Sequence, residues 1–204
     1  QTLVYFSFVE TLSPGLCAAI LQQDNIDETL SALRDLTPIF TQGVNTDWVR
    51  IHPLAREFLQ ERFAHLDKAE QIEYHGRAGL WLAQHGCQEQ AARHLFDAGR
   101  EDIAYDLIER SLYDLLLTGQ VSRVSEWIER MPMSEIEPRP RVRITLGWLL
   151  AQSERHAEAV KLVGSLIDDE TIAARDRLES AEICATAAVF ADDIDLETRM
   201  VSSW

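Results

Sequence analysis

The chain has 204 residues and a mass of 23.2 kDa, with 46% hydrophobic residues, nine glycines and six prolines. That composition excludes an intrinsically disordered or collagen-like chain and leaves room for one large domain or two small ones. With 34 acidic residues against 19 basic ones the net charge is −15, which excludes an unaided nucleic-acid binder, because neutralising phosphates takes a basic footprint.

No apolar run approaches the roughly 18 residues of a membrane span; the densest, Cys184 to Ala191, is far shorter. The first basic residue is Arg34, so the opening lacks the charge of a secretory signal. The sequence begins at Gln1 rather than at Met, and the expectation is a segment of a longer protein. Cys17, Cys87 and Cys184 show no paired spacing, so a reduced, cytoplasmic setting is expected. Only Lys68 and Lys161 are lysines, and neither follows a glycine, so the chain holds no phosphate-binding Gly-Lys-Ser/Thr loop.

In chain order, Ser13-Pro14 predicts a helix start, an N-cap followed by proline at the first helical position. Asn25 with Glu28 resembles a capping box and predicts a second helix through Ile26, Leu30, Leu33 and Leu36. Two extended runs follow, Pro38 to Thr41 and Trp48 to His52, joined by the polar connector Gln42 to Asp47; they predict a hairpin. Pro53 then opens a helix carrying Leu54, Phe58, Leu59 and Phe63. Helix, helix, hairpin, helix over residues 1–65 is the outline of a winged helix.

From residue 66 to 204 the signals are helical and come in pairs. Ala104, Leu107, Ile108, Ser111, Leu112 and Leu115 form one apolar stripe, and Val121, Val124, Trp127, Ile128 and Met131 form the next. Gly86, Gly99 and Gly119 punctuate the turns between helices. A break runs from Met131-Pro132 to Pro140, after which residues 141–153 are apolar on several faces, as in a helix buried between neighbours. Ala83-Gln84 and Ala91 recur as Ala151-Gln152 and Ala159, an offset of 68, and the half-offset of 34 places Ser125 in register with both alanines. A 34-residue period of helix pairs is the tetratricopeptide spacing, and small residues at such positions let helices approach closely. Gly79-Leu80-Trp81 and Gly147-Trp148 read as one place out of step. The predicted fold class is mostly α: a winged helix followed by a tetratricopeptide-like α-α superhelix.

Three stretches resemble a known family, the large ATP-dependent transcription activators with a LuxR-type DNA-binding end, typified by the bacterial maltose-regulon activator. Leu12-Ser13-Pro14-Gly15-Leu16-Cys17 is similar to that family's Leu-Ser-Pro-Glu-Leu-Cys helix start. Val49 to Leu59, reading Val-Arg-Ile-His-Pro-Leu-Ala-Arg-Glu-Phe-Leu, is similar to its Tyr-Arg-Tyr-His-Pro-Leu-Phe-x-x-Phe-Leu segment. His75 to Trp81, His85-Gly86, Ala98-Gly99 and Arg139-Pro140-Arg141 before Gly147-Trp148 follow its helical hairpins. Ala55, Val49 and Ile51 depart from the family's aromatic residues, so different packing is expected beneath the winged helix.

The resemblance implies a protein with an upstream nucleotide-binding domain, a winged helix, a helical sensor and a downstream DNA-binding domain, of which this chain is the middle. It implies ATP and ADP as cofactors of the parent, none in this segment, and an effector small molecule or regulatory protein as partner. It also implies a role for His52. In related signalling ATPases a Met-His-Asp histidine of the winged helix reaches the phosphates of bound ADP, and Ile51-His52-Pro53 occupies a similar place. The local alternative is a histidine that satisfies backbone groups beside Pro53.

Other candidates point away from catalysis. His65, His75, His85, His94 and His156 form no His-x-x-x-His pair, and no metal site is predicted. Glu57, Glu61, Glu109, Glu126 and Glu129 read as solvated helix faces, and no Gly-x-Ser-x-Gly elbow is present. Trp81, Trp127 and Trp148 are expected in the core, and Arg139, Arg141 and Arg143 at a solvated helix start. The segment is therefore expected not to be an enzyme. The competing reading is a helical-repeat interaction scaffold without a nucleotide switch.

Overall fold

The computed structural model describes residues 2–23, 26, 39–42 and 48–190. The helix expected over 25–36 lies outside them apart from Ile26, as do connector residues 43–47 and residues 191–204. The chain divides into two compact units, Gln1–Leu107 and Ile108–Trp204. Among the described residues no helix is long and apolar enough to cross a membrane.

In the first unit a 3-10 turn, Val4–Phe6, precedes helix α1, Pro14–Leu21. Ser13 is extended, its Oγ accepts the Leu16 N–H at 3.2 Å, and Pro14 needs no donor at that position, so the predicted cap forms as read. Strand β1, Phe40–Gln42, pairs antiparallel with β2, Val49–Ile51, with Phe40 opposite Ile51. The other edge of β2 is taken by Leu12, which exchanges backbone hydrogen bonds of 2.7 and 2.8 Å with Val49. With both edges paired, β2 buries Val49 and Ile51 and exposes Arg50, the alternation of a strand with one buried face. Helix α2, Pro53–Ala64, follows directly.

Helices α3, Lys68–Gln84, and α4, Gln88–Asp97, turn back on each other through Gly86 at φ +77. A Cβ on Gly79 would meet Leu95 Cγ at 2.7 Å, whereas one on Gly76 would lie 3.8 Å from Ala98 Cβ; the pair is antiparallel and closest at Gly79. Gly99, at φ +69, leads into α5, Glu101–Leu117. The predicted stripe of α5 is inside: Ala104, Leu107, Ile108, Leu112 and Leu115 are buried.

In the second unit Gly119 precedes α6, Val121–Arg130, whose Val124 and Trp127 are buried. A short α7, Met133–Ile136, leads to α8, Pro140–Gln152, then α9, His156–Val163, and α10, Ala174–Phe190. Helix α8 buries Val142, Ile144, Thr145, Gly147, Leu150 and Ala151, more than one face, because α9 and α10 both pack on it. Ile144, Leu150, Ala159, Val163, Ile183 and Cys184 form one core cluster there. The fold is mostly α, a winged helix followed by antiparallel, tetratricopeptide-like helix pairs.

Candidate functional site

His52 stands where β2 becomes α2. Its backbone is committed: its N–H donates to the Ile39 carbonyl at 2.7 Å and its carbonyl accepts the Arg56 N–H at 2.9 Å as the N-cap of α2. Its side chain makes no capping hydrogen bond and is exposed. The fold thus fixes the position of this imidazole while leaving the ring to the surface, where it can donate to an anion, most strongly when charged.

Beside it α2 turns apolar groups outward. Leu54 is 72% exposed and Phe58 54%, and the four-residue spacing puts them on one face. The Arg62 guanidinium lies 4.6 Å over the Phe58 ring. Of the apolar residues expected on this helix only Phe63 is buried, stacked 4.8 Å from Phe8. His52, Leu54, Phe58 and Arg62 therefore make a mixed apolar and cationic patch. Arg56 is turned the other way: its Nε donates to the Ser7 carbonyl at 2.9 Å, tying α2 to the amino-terminal segment.

The remaining histidines are placed differently. His65 Nδ1 lies 2.6 Å from the Glu61 carbonyl, and His85 Nδ1 2.8 Å from that of Trp81, on whose ring it also stacks. His156 stacks on Phe190. His75 and His94, on different helices, have their Nδ1 atoms 3.2 Å apart, a pairing that the sequence reading missed. The usable signal was indirect: His94 and Asp97 are one turn apart on a helix that folds back against the one carrying His75. Glu57, Glu61 and Glu129 are exposed, as expected, while Glu126 pairs with Arg130 at 3.0 Å and Glu109 lies 3.7 Å from Arg139.

The arginines of α8 correct an expectation, because they are not a solvated helix start. Arg141 pairs with Asp176 at 2.8 Å and Glu179 at 2.7 Å on α10 and lies over the Tyr113 ring. Arg143 Nε donates to the Leu162 carbonyl at 3.0 Å, and Arg139 pairs with Glu135 at 2.5 Å. Arg141 and Arg143 hold α8 to its neighbours, a long-range use that local sequence cannot show. Glu179 is buried; burial alone would raise its carboxyl, but bonds from Tyr113, Arg141 and Trp148 hold it below the usual range. The Trp148 bond, Nε1 to Glu179 Oε1, is 3.0 Å. Trp127 is in the core, whereas Trp81 and Trp148 are half-buried.

The second unit also carries an open groove of about 810 Å³, with Met133, Leu146 and Leu162 among its apolar lining and Arg143, Arg155 and Lys161 among its basic lining. Arg155 is held by a two-pronged pair to Glu158, 2.7 Å at each nitrogen. The size suits a small molecule or a peptide segment.

Residues 1–71 match the model of the MalT winged helix domain. The serine/threonine-protein kinase PknK of Mycobacterium tuberculosis is 27% identical over 169 residues, covering 77% of this chain and 15% of that protein. The HTH-type transcriptional regulator MalT of Klebsiella pneumoniae is 23% identical over 160 residues, covering 77% of this chain and 18% of its own. In structure the chain is similar to the signal-transduction ATPase with numerous domains (STAND) with a tetratricopeptide repeat sensor from Pyrococcus horikoshii. The TM-score is 0.54 and the identity 14%, covering 99% of this chain and 30% of that one. The chain thus spans less than a third of each of these proteins. The resemblance drawn from Leu12–Cys17 and Val49–Leu59 is met: residues 1–71 match the MalT winged helix domain and the chain is similar to the transcription regulator MalT, while the STAND likeness shows the fold.

Proposed function

We propose that this chain is the middle of an ATP-dependent, LuxR-type transcription regulator, in which the winged helix restrains a nucleotide switch and the helical pairs receive the signal. The upstream nucleotide-binding domain supplies the phosphate loop that this chain lacks, and a downstream domain binds DNA. The segment itself is neither an enzyme nor a nucleic-acid binder on this reading, and it works in the cytoplasm. His52 donates to a phosphate of ADP held by the neighbouring domain, while Leu54 and Phe58 give that domain an apolar surface to close on. The observation that carries the reading is the exposed His52 ring, set by a committed backbone beside two exposed apolar side chains.

The groove in the second unit suits the effector, either a small molecule or a peptide of a regulatory protein. To move such a switch nearly completely, the effector must favour one state by about 5.5 kcal/mol. The test is His52→Ala in the intact parent. Loss of one charge-assisted hydrogen bond, about 1.5–3 kcal/mol, predicts that ADP is released roughly ten to a hundred times more readily, with activity rising without effector. Unchanged nucleotide retention and unchanged activity defeat the clamp. The groove alone also suits a scaffold without a switch. A phosphate-binding loop about 200–300 residues upstream, one ordinary domain away, decides for the switch, and its absence for the scaffold.

A further inference from the structure

In the first unit two histidines and a carboxylate, distant in sequence, point their donor atoms at one place. His75 lies on α3; His94 and Asp97 are one turn apart on α4. His75 Nδ1 is 3.2 Å from His94 Nδ1 and 3.6 Å from Asp97 Oδ2, and one donor atom from each residue falls within 4.8 Å of the others. Two imidazole nitrogens bound tetrahedrally to one zinc ion, each at about 2.0–2.1 Å, stand about 3.3 Å apart. The His75–His94 spacing is that of an N–H···N hydrogen bond between the two rings and equally that of two ligands on one ion.

The surroundings favour the same reading. His94 is 7% exposed, and its pKa is pushed down to about 3 by burial first, then by the nearby His75, Arg93 and Arg56. His75 is lowered as well, chiefly by burial. Aromatic walls hold the rings: Phe8 lies 4.6 Å from His75 and meets His94 edge-on at 5.3 Å, and Phe63 closes on His75 at 5.7 Å. Two of the neighbouring cations are engaged elsewhere, Arg56 on the Ser7 carbonyl and Arg93 on Glu89 at 3.1 Å. Lys68 opposes a cation at His75, and the Asp97 carboxylate, 48% exposed, offsets it and marks the side open to solvent.

We propose that His75, His94 and Asp97 form a binding site for one divalent transition-metal ion of the zinc class, clipping α3 to α4. Two imidazoles and a carboxylate without thiolate suit such an ion, and three protein ligands leave a solvent position. Binding to the folded chain alone would stabilise it.

The test uses the 204-residue chain, stripped with a chelator and titrated with Co²⁺ and with Zn²⁺. One equivalent of Co²⁺ is expected to bring up the intense visible absorption of a four-coordinate ion, and Zn²⁺ to raise the thermal midpoint. His94→Gln should abolish both. Because His94 is buried, Asp97→Asn at a half-exposed position is the companion variant: it should retain the native far-ultraviolet spectrum and lose more than about tenfold in affinity, the least that even an outer-shell partner is worth. No stoichiometric binding by the wild-type chain overturns the site. So does wild-type affinity in both Asp97→Asn and His75→Gln, which would put the ion on the acidic surface instead.

Discussion

Gly147 of α8 lies so close to Val163 of α9 that a Cβ built on the glycine would meet the valine Cγ1 at 2.7 Å. Gly79 of α3 meets Leu95 of α4 in the same way, also at 2.7 Å, and the two pairs are displaced along the chain by 68 residues at both ends. Ala91 and Ala159, which share that offset, are both fully buried. The glycines are therefore in step, contrary to the sequence reading, and only the tryptophans have slipped. Trp81 lies against Gly15 of α1, whereas Trp148 donates to Glu179 of α10. The repeat holds where helices of one pair touch and lapses where a side chain serves a partner outside the pair.

Gly79→Ala is expected to destabilise the chain. Overpacking costs about 1–3 kcal/mol, while alanine returns about 1 kcal/mol of helix propensity. At Gly79 the blocking atoms include the Leu95 backbone nitrogen at 3.1 Å, which cannot yield without moving α4. At Gly147 they are the side chains of Val163 and Ile183. Urea unfolding should give a lower midpoint for Gly79→Ala and a smaller loss for Gly147→Ala; the reverse order would contradict the packing.

Glu179 makes stability fall in acid. Its folded carboxyl is held below the ordinary value of 4.5, so its contribution is complete above that value and drains away as pH drops through the folded pKa. Glu179→Gln should lose about 1–3 kcal/mol at neutral pH, the cost of a broken buried charged bond. It should also show a flatter stability profile below pH 4.5. Parallel acid profiles for the two proteins would show that the carboxylate is not the linked group.

The three thiols should separate by reactivity. Burial pushes Cys17 up to about 12 and Cys184 up to about 11, so neither is a thiolate at pH 8. Cys87 is only partly buried. A thiol reagent at pH 8 is expected to label Cys87 first in the native chain, with the other two following only on unfolding. Rapid labelling of all three in the folded state would contradict the burial of α1 and α10.

Much of the architecture was legible because it is written locally. Ser13-Pro14 caps a helix through atoms three residues apart, Gly86, Gly99 and Gly119 turn the chain at positive φ, and the α5 stripe buries itself by its own periodicity. His52 was legible as a junction residue for the same reason, since its strand and its proline adjoin it. The sequence by itself determined the helix start at Ser13-Pro14, the glycine turns, the buried stripe of α5 and the absence of a phosphate loop, all matters of neighbours along the chain. Only the tertiary structure decided that Arg141 reaches Asp176 and Glu179, that Leu54 and Phe58 stay outside, and that His75 meets His94. Those outcomes depend on which helix folds against which, and close approach at Gly79 brings α3 to α4 as that at Gly147 brings α8 to α9 and α10.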